Sequence, residues 1–307
     1  MAKGRAAGSG KAGWYMIVVP EEFAERTIAR EGAAGRAWIA ALPGRVAALV
    51  AQWGLTVDGP VMHGGISLVV PVRRGDEPCV LKIAWVDIET EVIALRAWDG
   101  RGAVRLLDAT PAEHALLLER LDYRRTLNDV DLAEAIGIAG RLLRRLAIPA
   151  PPGLHPLSAR ASDIARDLPG LWERTGRPLP RPVLDEVCAL AGRLAATRPA
   201  HLLVNFDLYY DDVLAGGREP WLVVDPMVVA GDPEYGIGPL LWRRLEDIEA
   251  QGGIARHFRA VIDAAELDPG LAREWTLVRC VEYWLWGLSV GLTYDPARCA
   301  RIVEALL

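Results

Sequence analysis

The sequence predicts an α+β protein with two lobes, a sheet-rich N-terminal lobe and a mainly helical C-terminal lobe. Apolar, strand-like runs joined by a short turn lie before residue 121, and helix-period patterns dominate after it. The length of 307 residues exceeds that of one average domain. We predict a flexible tail at residues 1–13, an N-lobe at 14–121 and a C-lobe at 122–307.

The N-lobe elements follow from local patterns. In chain order we expect a helix at 35–55 broken near Pro43, strands at 67–74 and 78–85, a helix at 87–98, and strands at 103–109 and 114–121. The turn residues "GDEP" join the first two strands and predict an antiparallel hairpin. Asp87 is the expected N-cap of the helix at 87–98.

The C-lobe patterns are mainly helical, with two short apolar segments that each end in an aspartate. The helices are predicted at 131–147, 182–197, 239–250, 254–265 and 271–290. The apolar segments are "LLVNFD", ending at Asp207, and "WLVVD", ending at Asp225. Both have the composition of short strands, so we expect the two aspartates at strand ends within the helical lobe.

Composition excludes several classes of protein. The formal net charge is −5 without a block of lysine or arginine, which argues against a nucleic-acid partner. No apolar run is long enough for a membrane span. The cysteines lack metal-ligand spacing, which indicates a reducing cytoplasm and no structural zinc; they stand at positions 79, 188, 280 and 299. The sequence has no GxSxG motif of a serine hydrolase. We expect a cytoplasmic monomer.

A lysine within an apolar strand is the first candidate functional residue. Lys82 lies in "VLKIAW", and the apolar stripe of the following helix is interrupted by Glu91. An unpaired carboxylate there is costly, so Lys82 is the expected partner. Protein kinases use such a pair to direct an ammonium group at nucleotide phosphates. The alternative is an edge-strand lysine that extends to water.

Upstream of Lys82, the segment "HGGIS" contains Gly64, Gly65 and Ser67. Small residues in a turn let backbone N–H groups approach a phosphate. Two glycines also occur in ordinary turns, so this segment alone is weak evidence for a nucleotide site.

Three aspartates near the two strand-like segments supply the second half of the same chemistry. Phosphoryl transfer needs one carboxylate beside the acceptor hydroxyl and others that hold Mg²⁺. Asp207 is the predicted base, and Asp212 and Asp225 are the predicted metal ligands. The alternative is that all three stabilise turns.

The sequence resembles the aminoglycoside/hydroxyurea antibiotic phosphotransferases, most closely their streptomycin 6-phosphotransferase branch. The resemblance runs from about Gly35 to the C-terminus, and its most specific passages are "GRAWIAALP", "SLVVPV", "LRAWDGRGAVRLLDA", "ALLLERLD" and "VLAGGREPWLVVDPMVVAGDPEY". It implies a protein-kinase-like fold, ATP and Mg²⁺ as cofactors, and a hinge that binds adenine through the backbone of Glu119, Arg120 and Leu121. Family roles fall on the same lysine, glutamate and aspartates.

The chain departs from the family pattern at several positions near the predicted base. Asn205 and Tyr209 stand where the family usually has histidines, and Asp212 replaces an asparagine. Gly236 stands where the branch often has an aspartate, and Met227 where many relatives have a lysine.

Three functions therefore remain open. The first is phosphorylation of streptomycin or a similar cation, which the acidic residues Asp211, Glu234 and Glu282 would help to bind. The second is a kinase for another small hydroxyl compound, such as a sugar, an amino alcohol or hydroxyurea. The third is a nucleotide-binding pseudoenzyme. The aromatic residues in "VEYWLW" are expected to be core more often than pocket lining.

Overall fold

The structure, a computed structural model, describes residues 17–197 and 200–307. These residues form two compact units. The sheet unit contains the described residues up to Asp87 together with Leu107–Arg120, and the helical unit contains Ile88–Leu106 and Leu121–Leu307. The helix and loop at 88–106, which the sequence placed in the N-lobe, thus group with the helical unit. The predicted tail at 1–13 lies outside the described residues.

The sheet unit consists of one long helix and a six-stranded sheet. Its elements are α1 (Glu21–Gln52), β1 (Leu55–Val57), β2 (Met62–His63), β3 (Ser67–Arg74), β4 (Glu77–Ala84), β5 (Leu106–Thr110) and β6 (Ala115–Glu119). The strand order is β1-β3-β4-β6-β5, and β2 pairs with β3. The predicted hairpin is confirmed, because β3 and β4 pair antiparallel from Ser67–Ala84 to Arg74–Glu77.

Helix α1 differs from its prediction in both length and kink position. It continues through Pro43, so the predicted break there was wrong. The non-helical residue is Gly32, with φ of 63°, a conformation that glycine adopts without a Cβ clash. Buried residues of α1, including Leu42 and Val46, belong to the same apolar core as Leu68 and Leu81 of the sheet.

The helical unit combines helices with short strand pairs. Its helices are α2 (Glu89–Trp98), α3 (Leu132–Leu146), α4 (Leu157–Arg174), α5 (Arg181–Ala196), α6 (Gly238–Trp242), α7 (Leu245–Ala250), α8 (Ile254–Ala265), α9 (Pro269–Ser289) and α10 (Tyr294–Leu306). Its strands are β7 (Asp122–Thr126), β8 (Leu202–Asn205), β9 (Val213–Ala215), β10 (Trp221–Val223) and β11 (Val228–Gly231). Strand β9 pairs with β7 and β10, and β8 pairs with β11.

The sequence missed two helices and misplaced one cap. Helix α4 and helix α10 had no predicted counterpart. Helix α2 begins at Glu89 with Ile88 at the N-cap position, one residue after the predicted cap Asp87. No helix within the described ranges is long and apolar enough to cross a membrane.

Candidate active site

The loop after β8 presents Asp207. The strand is buried at Leu203 and Val204, and it is held by antiparallel pairing with β11. The Asn205 side chain then accepts a hydrogen bond from the Asp207 backbone N–H at 3.2 Å, which closes a local turn. The Phe206 N–H donates to the Met227 carbonyl at 3.0 Å. These two hydrogen bonds fix the backbone that leads into Asp207.

The pairing of β9 with β10 brings two further aspartates to one end of a short hairpin. Val213 pairs with Val223, and the Val224 N–H donates to the Asp212 carbonyl at 2.8 Å. Asp225 follows with φ of 50°, in the left-handed region that aspartate tolerates better than most residues. Asp212 therefore immediately precedes β9, and Asp225 follows the paired strand β10.

A cavity of about 500 Å³ opens beside Asp207 within the helical unit. Helix α4, the loop after β8 and helix α9 form its walls. The lining residues are His155, Arg160, Asp163, Ile164, Asp167, Leu168, Leu171, Phe206, Asp207, Tyr209, Met227, Arg279, Glu282, Tyr283 and Trp286. The wall is thus mixed, with apolar and aromatic surface interrupted by carboxylates and two guanidinium groups.

Burial raises the pKa of the Asp207 carboxyl to about 6. The positive charges of Arg279 and Arg160 lower this pKa, and repulsion from Asp225 raises it. Asp207 is therefore ionised at neutral pH yet close enough to its pKa to accept a proton, which is the property of a general base.

Two arginines and one glutamate form an ionic network at the base of the cavity. The Glu282 carboxylate accepts from the Arg160 guanidinium at 2.9 Å and from the Arg279 guanidinium at 3.3 Å. The Tyr235 hydroxyl donates to the same carboxylate at 3.3 Å. The guanidinium of Arg279 also lies 3.9 Å from an Asp207 carboxylate oxygen. Glu282 lines the cavity, but its charge is already compensated by protein groups.

Aromatic rings of α9 contribute to the cavity wall. Tyr283 stacks on Trp242 at 4.8 Å on one side and on Trp286 at 5.4 Å on the other, between ring centroids. Trp286 remains 46% exposed at the cavity rim. The "VEYWLW" segment therefore supplies both core and pocket, whereas the sequence favoured core over pocket lining for its aromatic residues.

Two predicted acceptor-binding acids have other partners. Asp211 forms an ion pair with Arg243 at 2.5 Å. Glu234 is buried and accepts from the backbone N–H of Asp268 at 3.1 Å, before the start of α9. Neither residue lines the cavity, in contrast to Glu282.

Most of the residues that the sequence predicted to bind the nucleotide lie in the sheet unit. Lys82 is 6% exposed and lies on β4, which is flanked by β3 and β6 and is therefore not the edge strand of the alternative. Gly64 and Gly65 occupy the turn between β2 and β3, and Ser67 is buried. The Ser67 hydroxyl has no hydrogen-bond partner among residues 17–197 and 200–307.

The remaining residues predicted to bind the nucleotide are Glu119, Arg120, Leu121 and Glu91. Glu119 ends β6, and the Arg120 guanidinium forms an ion pair with Asp58 at 2.9 Å. Leu121 is the first residue of the second segment of the helical unit. Glu91 belongs to α2 of that unit and is 7% exposed.

Sequence reasoning missed four polar residues of the cavity. Asp163 and Asp167 went unnoticed because α4 was not predicted, although their four-residue spacing within "SDIARD" is typical of one helix face. Arg160 lies on the same helix. Arg279 was hidden in an apolar stretch, where a lone charge is itself a signal of a buried partner.

The fold and the site together define a class of enzyme. A sheet unit with a buried lysine on an inner strand, and a helical unit whose aspartates follow short paired strands, are the parts of a protein-kinase-like phosphotransferase. Two solved structures share this fold. The aminoglycoside phosphotransferase APH(4)-Ia, in a ternary complex with ADP and hygromycin B, has a TM-score of 0.59 at 18% identity, covering 84% of this chain and 97% of that one. A choline/ethanolamine kinase family protein from Mesorhizobium loti has a TM-score of 0.60 at 18% identity, covering 85% and 94%.

Sequence comparison identifies the family. The family described as aminoglycoside/hydroxyurea antibiotic resistance kinase matches residues 52–291. A streptomycin 6-kinase from Streptomyces griseus is 40% identical over 94% of this chain and 97% of the relative. A hydroxyurea phosphotransferase from Kitasatospora aureofaciens is 39% identical over 95% and 86%, respectively. The chain belongs to the aminoglycoside/hydroxyurea antibiotic resistance kinases, which confirms the predicted family and fold class.

Proposed function

We propose that this kinase transfers the γ-phosphoryl group of ATP to a hydroxyl group of streptomycin or a closely similar cationic aminoglycoside. The observation that carries the proposal is the cavity of about 500 Å³ that opens on Asp207. A cavity of this size suits a drug-sized ligand. Hydroxyurea has only a few non-hydrogen atoms and would fill a small part of it.

The acidic wall of the cavity suits a cationic acceptor. Asp163 and Asp167 lie one turn apart on α4, and both form ion pairs with Arg166 at 2.7 and 2.9 Å. Roughly half or more of each of these three side chains is exposed, so the pairs are weak and a ligand cation can replace Arg166. Glu282 is already neutralised by its own partners, so we assign acceptor binding to the α4 carboxylates instead.

Asp207 is the proposed general base of the reaction. Its carboxylate takes the proton of the acceptor hydroxyl as the hydroxyl oxygen forms a bond to the γ-phosphorus. The bond from that phosphorus to the bridging oxygen of ATP breaks, and ADP leaves with the electron pair. The turn that Asn205 closes holds the Asp207 backbone in place during this step.

The proposed nucleotide-binding residues are the ones that the sequence predicted. Lys82, supported by Glu91, would contact the nucleotide phosphates, with the turn at Gly64 and Gly65 beside them. The Ser67 hydroxyl fits this role because it is buried and has no hydrogen-bond partner within the described residues. The backbone at Glu119, Arg120 and Leu121 would bind the adenine.

Asp212 and Asp225 are the proposed Mg²⁺ ligands. Hard carboxylate oxygens suit Mg²⁺, which keeps several waters and shares phosphate oxygens with the protein. Among the described residues, no group of three or more histidine, cysteine or acidic side chains is placed to hold an ion. Two aspartates on neighbouring strand ends fit an ion that the nucleotide helps to bind. Such an ion would neutralise charge on the phosphates.

The proposed setting is the cytoplasm, where ATP is available. The four cysteines, one of which is Cys188 on α5, are all free thiols, as expected in a reducing compartment.

A panel of acceptors tests the proposal directly. The protein is incubated with ATP, Mg²⁺ and one acceptor at a time: streptomycin, hygromycin B, kanamycin, choline or hydroxyurea. Mass spectrometry then detects an added phosphate, with Asp207→Asn as the inactive control. Phosphorylated streptomycin supports the proposal. Product from hydroxyurea or another compound alone selects the second function, and tight ATP binding without any product selects the pseudoenzyme.

The acidic wall makes a separate prediction for acceptor binding. The double variant Asp163→Asn with Asp167→Asn should raise the acceptor KM roughly tenfold and leave kcat nearly unchanged, because it removes binding that is equal in ground and transition states. The matched control is Asp185→Asn, which removes an exposed carboxylate paired with Arg181 on α5. An unchanged KM in the double variant would exclude α4 from acceptor recognition.

A further inference from the structure

Arg279 is a buried cation in an aromatic environment. Its side chain is 7% exposed, and its guanidinium lies over four rings at 5.4 to 5.7 Å from their centroids; these are Phe206, Tyr235, Trp242 and Tyr283. The negative faces of aromatic rings attract a cation, but they do not replace the hydration that burial removes. A buried arginine at this position therefore needs carboxylate partners.

Arg279 has two such partners, which lie in different parts of the site. Glu282, one turn along α9, accepts from it at 3.3 Å. Asp207, on the loop after β8, lies 3.9 Å from it. The Nε–H of Arg279 has no hydrogen-bond partner within the described part of the chain. The surrounding rings restrict the Arg279 guanidinium, so that it presents a positive charge at a fixed position beside the Asp207 carboxylate.

We propose that Arg279 is a positioning residue that acts through Asp207, holding its carboxylate in the orientation that receives the proton of the acceptor hydroxyl. This inference rests on the proposed function of Asp207 as the base. The rings around Arg279 restrict the guanidinium, and the ion pair restricts the carboxylate in turn. The effect belongs to the chemical step and not to the binding of nucleotide or acceptor.

Arg160 supplies a matched comparison. It is a second arginine of the cavity, it also pairs with Glu282, at 2.9 Å, and it also lies over the rings of Phe206 and Tyr235. Its side chain is more exposed, at 30%, and its ion-pair partner is Glu282 and not Asp207. Removing either arginine perturbs the Glu282 network, but only Arg279 is placed to orient the base.

The test is a double-mutant cycle with steady-state and single-turnover kinetics. Arg279→Met, Arg279→Lys and Arg160→Met are each made in the wild type and in Asp207→Asn. We measure kcat, the KM values for ATP and acceptor, ATP affinity and the melting temperature. The acceptor is the compound that the panel shows to be phosphorylated.

The expected result separates kcat from KM. Arg279→Met lowers kcat roughly 100-fold with both KM values within about twofold of the wild type, because the loss falls on the transition state. In the Asp207→Asn background the same substitution changes kcat by less than about twofold, since the group that it orients is gone. Arg279→Lys, which keeps the charge, recovers at least about tenfold of the lost kcat.

Three results would overturn the inference. One is a loss of kcat by Arg279→Met that is the same with and without Asp207. Another is a higher KM with unchanged kcat, which assigns Arg279 to binding. The third is an Arg160→Met variant with the same kcat loss and the same dependence on Asp207. If Arg279→Met does not fold, the cycle with Arg279→Lys decides by the same criterion. A wild-type protein that phosphorylates none of the acceptors would instead refute the proposed function.

Discussion

The sheet unit and the helical unit place their buried charges in different ways. In the sheet unit, Lys82 lies on an inner strand whose neighbours are close in sequence or predictable by pairing. In the helical unit, the surroundings of Asp207 come from the loop after β8 and from residues of α4 and α9. Local sequence therefore locates the lysine and the aspartate, but only the packed helices show what surrounds the aspartate.

The largest expected effect concerns the base itself. Asp207→Asn should lower kcat by roughly 1,000-fold and leave ATP affinity unchanged, since an amide cannot take the hydroxyl proton. Single-turnover rates and equilibrium ATP binding measure the two quantities. Asp211→Asn is the matched control, because Asp211 is a nearby aspartate engaged with Arg243. An unchanged kcat would remove Asp207 from the chemistry.

A smaller effect is expected from the sheet unit. Lys82→Met keeps the length of a side chain that is 6% exposed but removes the ammonium group. We expect kcat to fall roughly 100-fold and the KM for ATP to rise, because the contact with the phosphates is lost. Initial rates over a range of ATP concentrations check both, and thermal unfolding verifies that the variant folds.

The predicted pairing of Lys82 with Glu91 can be tested with the same kinetic measurements. If Glu91 acts by orienting Lys82, then Glu91→Gln should lower kcat in the wild type but add little to Lys82→Met. Independent, additive losses would show that the two residues act separately.

The same contrast between local patterns and contacts from distant segments explains which parts of the fold and site the sequence predicted. The alternating apolar pattern around Lys82 and the aspartate at the end of "LLVNFD" are local signals, and the structure places both residues as expected for their patterns. Helix α4 was missed because Pro156 stands at its N-cap and Pro169 lies within it, a composition typical of a link. Because α4 was not predicted, Asp163 and Asp167 were not included in the predicted site.

Asp211 and Glu234 illustrate the opposite error. Both are acidic and close in sequence to the predicted base or metal ligands, which made them candidates for acceptor binding. Their partners, Arg243 and the backbone N–H of Asp268, lie on other segments and were not evident from local patterns. Sequence proximity does not separate a carboxylate that faces a cavity from one that stabilises the fold.

The pH dependence of kcat/KM tests the electrostatics of the helical unit. With its pKa raised to about 6 by burial, Asp207 is the ionised base above that pH and is protonated below it. The value of kcat/KM, which reports the pKa of the free enzyme, should therefore be flat near pH 8 and fall about tenfold per pH unit below 6. The positive charge of Arg279 lowers this pKa, so Arg279→Met should move the inflection to higher pH, and Arg160→Met should move it less. A profile without an inflection between pH 5 and 8 would contradict the assignment.

The smallest expected effect concerns Asp212, one of the two proposed metal ligands. The backbone carbonyl of Asp212 holds Val224 whatever side chain is present, so substitutions isolate the carboxylate. Asp212→Asn keeps one oxygen donor and removes a negative charge beside the nucleotide phosphates, so activity at saturating Mg²⁺ should persist or rise. Asp212→Ala removes the oxygen and should raise the Mg²⁺ concentration for half-maximal rate by roughly threefold to tenfold.

If Asp212 only stabilises the turn, alanine should instead lower the stability by about 1 kcal/mol without a change in metal dependence. Magnesium titrations of the wild type and both variants, with Asp211→Ala as the control, separate these outcomes, and identical titration curves would exclude Asp212 as a metal ligand.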